Sequence, residues 1–315
     1  MEKLIMAQAP LSDDVLLDTL RVYEENNRNC YGAARLLGIP PQTFQNRLYR
    51  AKERFPQSKE ERPQSGRWAY PRMVSKEAPN TKWIIGSDFH IWDGEPTLIY
   101  KAFVKLAKSL KVDGIILNGD VIDGARVSRH PPARGFKAPK IEKEIETAKS
   151  WLRMLPTVKH KLWTMGNHDI RIDNYIAANA NELDGYIMSL QDHFRDWEIS
   201  WAFEINSNTE VRHRFRSGIH SGYSSSMAAG ISTVTGHTHQ LQVTAIRDRR
   251  GSRWGVETGT MADPFGPQFE YTEGAPNRAQ CGFVVLSYDE DGNLMPPEIC
   301  EVVYGRPVFR GQYVL

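Results

Sequence analysis

Apolar residues along this chain follow two rhythms. Between residues 12 and 54 they recur at helical spacing. In SDDVLLDTLRVYEENN, Ser12 stands where a cap is needed, acids fill the first turn, and Leu16, Leu20 and Tyr23 share a face. CYGAARLLG predicts a second, short helix ended by Gly38. PPQTFQNRLYRAKER predicts a third, opened by prolines, with Phe44, Leu48 and Ala51 on one side. From Lys82 the rhythm changes to short continuous apolar runs that close on polar residues. KWIIGSDFH is followed by helical PTLIYKAFVKLAKSL, VDGIILNGDVID by helical APKIEKEIETAKSWLRML, and HKLWTMGNHD comes third. Later, ISTVTGHTHQ, VTAIRDR, RWGVETG, CGFVVLSYD and EICEVVYG predict strands joined by short turns. Early β–α alternation followed by consecutive strands predicts an α/β sandwich with mixed β-sheets, beside a small all-α N-terminal domain. Pro56, Pro63, Pro71 and Pro79, set among Gln, Ser, Lys and Glu, mark a break between the two. The expected organisation is a helical domain at 1–54, a Pro-rich basic linker at 55–80 and an α/β domain at 81–315.

Composition narrows the class. The 315 residues are 40% hydrophobic and 25% charged, as in ordinary soluble globular domains. No apolar run has membrane-spanning length and the N-terminus lacks a signal-peptide pattern, so no membrane partner and a cytoplasmic location are expected. Cys30, Cys281 and Cys300 are far apart and odd in number, which gives neither a disulfide framework nor a zinc-knuckle spacing. The net charge of +2 is uninformative, but its distribution is not. Residues 40–76 hold nine Lys/Arg against three acids, an excess that favours a polyanionic partner.

Polar residues just after strand ends are where α/β folds place their chemistry. Those ends carry Asp88 and His90 (SDFH), Asp120 and Asp123 (GDVID), Asn167 and His168 (GNHD), His220 (GIHSG), and His237 and His239 (GHTH). Carboxylate, imidazole and amide oxygen together suit Mn²⁺, Fe²⁺ or Zn²⁺, and the lack of thiolates argues against a structural zinc site. The inventory is large enough for two ions with a bridging carboxylate. Two ions about 3.5–4 Å apart promote in-line displacement at phosphorus. Phosphoester hydrolysis is the expected reaction.

In this order the motifs resemble the calcineurin-like metallophosphoesterase superfamily, over about residues 82–260. The resemblance implies that Asp88, His90 and His239 hold one ion, that Asn167, His220 and His237 hold a second, and that Asp120 bridges. It implies two divalent ions, Mn²⁺ first and Fe, Zn or Ni as alternatives. It also implies that His168 protonates the leaving oxygen and that Asp123 orients it, roles that fit a histidine working near neutral pH. Gly124 stands where the serine/threonine phosphatase branch carries an arginine. Arg126, Arg129 and Arg171 are alternative phosphate contacts, and His130 is the nearest counterpart of a nuclease-branch histidine. His160, His193 and His213 fall in no motif and are expected at the surface or in the core. Ser221 in GIHSG has no base beside it and is not expected to be a nucleophile.

NCYGAARLLGIPPQTFQNRLYRAKER resembles a helix-turn-helix of the factor-for-inversion-stimulation type. That implies a third helix in the DNA major groove, with Gln42, Thr43, Gln45, Asn46, Arg47 and Arg50 as contacts and a homodimer as an option. The expected function is metal-dependent phosphoester hydrolysis directed to DNA. The alternatives are a phosphoprotein phosphatase or cyclic-nucleotide phosphodiesterase with a protein-binding bundle, and a DNA-binding regulator with an inactive hydrolase domain.

Overall fold

The computed structural model describes residues 11–26, 30–55, 70–129, 135–180, 182, 187–249, 251–272 and 278–315. The chain divides into two compact units, 1–65 and 66–315.

In the first unit, α1 (Asp13–Glu25), α2 (Cys30–Leu36) and α3 (Pro41–Arg54) enclose Leu16, Leu20, Ala33, Ala34, Phe44, Leu48 and Ala51. Gly38, at φ 64°, ends α2, and the Ile39 N–H returns to the Ala34 carbonyl, closing the helix end with a residue that has no Cβ to clash. On α3, Gln42, Thr43, Gln45, Asn46 and Arg50 are exposed and Arg47 is half-buried.

The second unit is built on two sheets. β2 (Lys82–Gly86), β3 (Gly114–Leu117), β4 (His160–Thr164) and β5 (Glu198–Ser200) run parallel side by side. On the far side of β2, the antiparallel strands β11 (Gly282–Ser287), β12 (Glu298–Val303), β13 (Arg306–Phe309) and β14 (Gln312–Tyr313) complete this eight-stranded sheet. The other sheet has six strands. Its order is β1 (Val74–Lys76), β6 (Ala202–Ile205), β7 (Thr209–Arg212), β8 (Ser232–Thr235), β10 (Gly251–Thr258), β9 (Leu241–Asp248), with parallel and antiparallel pairs mixed.

The continuous apolar runs are explained by burial on both faces. Strand alternation sends Ile84, Ile115, Leu117 and Trp163 into a layer with Tyr100 and Phe103 of α4 (Leu98–Ser109) and Trp151 of α5 (Ile141–Leu152). Trp83, Ile85, Ile116 and Leu162 point the other way, against Phe203, Val211, Val234 and Val256 of the second sheet. Thr97 caps α4 by accepting from the Tyr100 N–H.

One boundary differs from expectation. The 55–80 linker is shorter, because Phe55 packs on the three-helix core while Tyr70 and Ala78 are buried in the second unit. Tyr70 donates to Asp173 at 2.6 Å, and β1 pairs with β6. Pro71 and Pro79 bracket a short edge strand, a position proline tolerates. Linker residues 56–69 lie outside the described ones. Among the described residues no helix is long and apolar enough to cross a membrane.

Candidate metal centre

The C-terminal ends of β2, β3 and β4 and the loops after β7 and β8 bring the motif residues together. The turns are tight: Asp88, His90, Asp120, His237 and His239 all have positive φ, between 41° and 69°. Non-glycine residues rarely adopt this conformation, and its clustering here marks a backbone shaped for a site. Two motif glycines make room for ligands from other strands. A Cβ on Gly166 would lie 2.1 Å from Asp120 Oδ1, and one on Gly236 would lie 2.8 Å from Asp88 Oδ2.

Three sets of donor atoms, each within 4.8 Å of one another, occupy this floor: Asp88, His90 and His239; Asp120, His213 and His237; and His90, Asp123 and His168. Asp88 Oδ1 lies 3.1 Å from His239 Nε2, and His90 Nε2 lies 3.3 Å from His239 Nε2. Asp120 Oδ2 lies 3.1 Å from His213 Nε2, while its Oδ1 accepts from the His168 N–H at 2.8 Å. Asp88, Asp120, His90 and His213 are almost completely buried.

The ring tautomers are set from behind. His213 Nδ1 faces the Asn118 carbonyl at 2.8 Å and His90 Nδ1 faces Asp123 Oδ1 at 3.0 Å. Both acceptors take the Nδ1 proton, leaving Nε2 lone pairs aimed inward, as in metal-binding histidines. Asp88 Oδ1, Asn167 Oδ1 and His213 Nε2 are buried atoms with no hydrogen-bond partner. Buried polar atoms are rarely left so, and a divalent cation is the partner this donor set fits.

The charges agree. Burial raises the Asp88 carboxyl, but His239 and His213 outweigh it and hold it down at about 2. Burial also works against Asp120, yet the charges of His213 and His168 keep it well below the carboxylate range. Burial lowers His213, but Asp120 and Asp88 push it up to about 10. A proton and a cation are alternatives beside these carboxylates, so cation binding releases protons. Burial and the charge of His213 bring His237 down to about 4, leaving it neutral.

The sequence reading needs one correction. His220 is exposed at the start of α8 (Ser221–Ala229), outside all three donor sets, and His213 takes the place expected for it. His213 directly follows β7, so it obeys the strand-end rule, whereas His220 sits in an exposed Gly/Ser loop. Replacing His213 with Ala is expected to lower cation content by about one ion per chain, and His220→Ala to leave it unchanged. Metal analysis of the two variants side by side decides.

His168 Nδ1 lies 3.1 Å from Asp123 Oδ1 and 3.0 Å from the Asp123 carbonyl. Burial lowers its pKa, but the Asp120 and Asp123 carboxylates raise it by more. Arg171, at the start of α6 (Arg171–Asn179), donates to the Asp123 carbonyl at 2.9 Å and stands 3.1 Å from His168 Nε2. Arg126 and Arg129 are exposed, and His130 lies outside the described residues.

Three buried acids that bind no cluster brace the loops. Asp169 accepts from the N–H groups of Asp120, Val121 and Gly166 at 2.8–2.9 Å and from Trp163 Nε1 at 3.0 Å, tying GNHD to GDVID. Glu257 accepts from Thr238 at 2.6 Å and from Ser221, joining the GHTH loop to α8. Glu144 of α5 accepts from the Gly124 N–H at 2.7 Å. Burial, reinforced by the charge of Asp123, pushes Glu144 up to about 8.

A raised carboxyl stabilises the fold fully below its unfolded pKa and loses that contribution as pH rises through its folded value. Between about pH 5 and about pH 9 wild type is therefore expected to lose roughly 3–5 kcal/mol relative to Glu144→Gln. Urea unfolding of both proteins across that range measures the difference, and parallel curves would contradict it.

The family model for calcineurin-like phosphoesterases matches residues 83–254, and that for the PucR C-terminal helix-turn-helix domain matches residues 16–62. The N-terminal unit is thus of the PucR type and not of the factor-for-inversion-stimulation type; any short three-helix bundle shares the periodicity on which that expectation rested. No curated protein matches the chain. Among solved structures, Vps29 of Entamoeba histolytica complexed with zinc is 12% identical, with 74% of this chain and 99% of that one covered, at a TM-score of 0.40. The phosphoesterase Yfce of E. coli is 14% identical, covering 69% and 97%, with a TM-score of 0.30. A dimetal phosphatase from Danio rerio is 11% identical, covering 76% and 98%, with a TM-score of 0.34. The family match spans more than half of the residues and contains every side chain of the candidate centre, and on that ground the chain belongs to the calcineurin-like phosphoesterases.

Proposed function

We propose that the chain hydrolyses phosphoesters with two divalent cations and that its N-terminal unit attaches it to DNA. The observation that carries the first part is the convergence of Asp88, His90 and His239 and of Asp120, His213 and His237, with Asp88, His213 and also Asn167 presenting buried atoms that lack hydrogen bonds. Asp88, His90 and His239 would hold one cation and Asn167, His213 and His237 the other, with Asp120 between them. Mn²⁺ suits the mixed oxygen and imidazole set, with Fe, Zn or Ni as competitors. When bound, such a pair supplies Lewis acidity toward the phosphoryl oxygens and an activated water.

The chain's own residues do the rest. His168 holds a proton for the departing ester oxygen, and Asp123 fixes its ring. Water adds its oxygen to phosphorus and gives up one proton to solvent, the phosphorus–oxygen ester bond breaks, and the His168 proton ends on the alcohol. Arg171, beside His168 Nε2, is placed to meet a phosphoryl oxygen. Ser221 gives its hydroxyl to Glu257 and is left to structure.

Support for DNA attachment is the exposed polar face of α3, where Gln42, Thr43, Gln45, Asn46 and Arg50 share one helix with Arg47. Two experiments test the reading. Chelation is expected to abolish hydrolysis of bis(p-nitrophenyl) phosphate, with Mn²⁺ restoring it; turnover untouched by chelator would refute the enzyme. The full chain is expected to bind duplex DNA with a steep salt dependence, and Arg47→Ala plus Arg50→Ala to reduce the log–log slope by about two. Unchanged binding would refute the DNA face.

A further inference from the structure

A cavity of 430 Å³ opens beside His90, and its lining has a definite character. Asp93, Glu95 and Asp263 contribute three carboxylates, and no Lys or Arg is among the described lining residues. Lys143 pairs with Asp93 at 3.5 Å from outside the lining, and among the described residues Glu95 and Asp263 have no ion pair. Trp92 and Trp151 supply aromatic wall. Gln268, nine-tenths buried, also lines the space, and its side-chain amide makes no hydrogen bond with a described residue. Phe269, the next residue, lays its ring edge-on to both His90 and His239, at 5.2 and 5.5 Å between centroids, so the cavity wall is continuous with the candidate centre. The Cys281 thiol on the same wall is pushed up to about 11, first by burial and then by the charge of Asp263.

Carboxylates and indole rings with no opposing cation attract positive charge and repel negative charge. Resting on the phosphoester reading above, we infer that this cavity receives the alcohol portion of the substrate and selects an amine- or ammonium-bearing one over an anionic one. The phosphoryl group lies at the cations while the organic group points past His90 toward Trp92 and Glu95. A polynucleotide strand, with a phosphate at every step, is disfavoured in this direction. DNA held by the N-terminal unit then serves to place the enzyme and does not thread this cavity.

The test uses three phosphonates that cannot be hydrolysed and differ only at the far end: trimethylammoniopropyl, butyl and carboxypropyl phosphonate. Calorimetric titration of the full, Mn²⁺-loaded protein is expected to show the ammonium compound binding about tenfold tighter than the carboxylate compound, with the butyl compound between. Glu95→Gln combined with Asp263→Asn is expected to bring that ratio close to unity. A ratio is insensitive to the fraction of active protein, and both positions are exposed, so misfolding does not imitate the result. Equal affinities, a preference for the carboxylate, or no binding by any of the three would overturn the inference. Chelator-sensitive hydrolysis of bis(p-nitrophenyl) phosphate, measured on the same preparation, reports separately on the phosphoester reading.

Discussion

Replacement of Asp120 by Ala is expected to strip both cations from the protein and to lower phosphoester turnover by about 10³-fold or more. The size of the effect follows from position. Asp120 is buried in the donor set of His213 and His237, with Oδ2 3.1 Å from His213 Nε2 and Oδ1 held by the His168 N–H. Removing the carboxylate leaves the buried imidazoles of His213 and His90 with less negative charge to balance a cation. Asp120→Asn keeps the oxygen that accepts from His168 and loses only the charge, so it separates shape from electrostatics. Both variants are expected to contain fewer than one ion per chain by elemental analysis. Retention of two ions in Asp120→Ala would remove Asp120 from its bridging place.

His168→Ala is expected to behave differently: both cations stay and catalysis falls. The His168 ring touches Asp123 and Arg171 and reaches Asp120 Oδ2 only at 3.9 Å, while the backbone N–H that donates to Asp120 Oδ1 is kept in the Ala variant. As a proton donor it contributes about 10²–10⁴-fold toward an alkoxide leaving group. A nitrophenolate leaves without help, so the loss on bis(p-nitrophenyl) phosphate is expected to be much smaller than on an alkyl ester. Steady-state rates on the two esters, with metal content measured in parallel, give the result. An equal loss on both substrates would show that His168 does not protonate the leaving oxygen.

Much of the centre was legible because its residues obey a local rule. Asp88, Asp120 and Asn167 each follow an apolar run buried on both faces, and His237 and His239 follow β8, with a glycine beside each motif. His213 escaped because the run before it, TEVR, has a single apolar residue, Val211, and does not stand out, while GIHSG offers a more conspicuous histidine seven positions later. The bracing acids were hidden for another reason. Asp169 reaches Asp120 across 49 residues and Glu144 reaches Gly124 across 20, distances over which spacing carries no information. The pairing of β1 with β6 joins segments more than a hundred residues apart, so the prolines around β1 imitated a linker. Helix periodicity in residues 12–54 gave three helices and their shared core, but not the kind of helix-turn-helix, which depends on surface residues that periodicity ignores.

The central claim is that side chains from five loops cage two cations. The most direct measurement is anomalous scattering from crystals of the full chain grown with Mn²⁺. Two peaks are predicted, one among Asp88, His90 and His239, the other among Asn167, His213 and His237, with Asp120 touching both. A lone peak at His220, or no peak within reach of Asp120, would contradict the account.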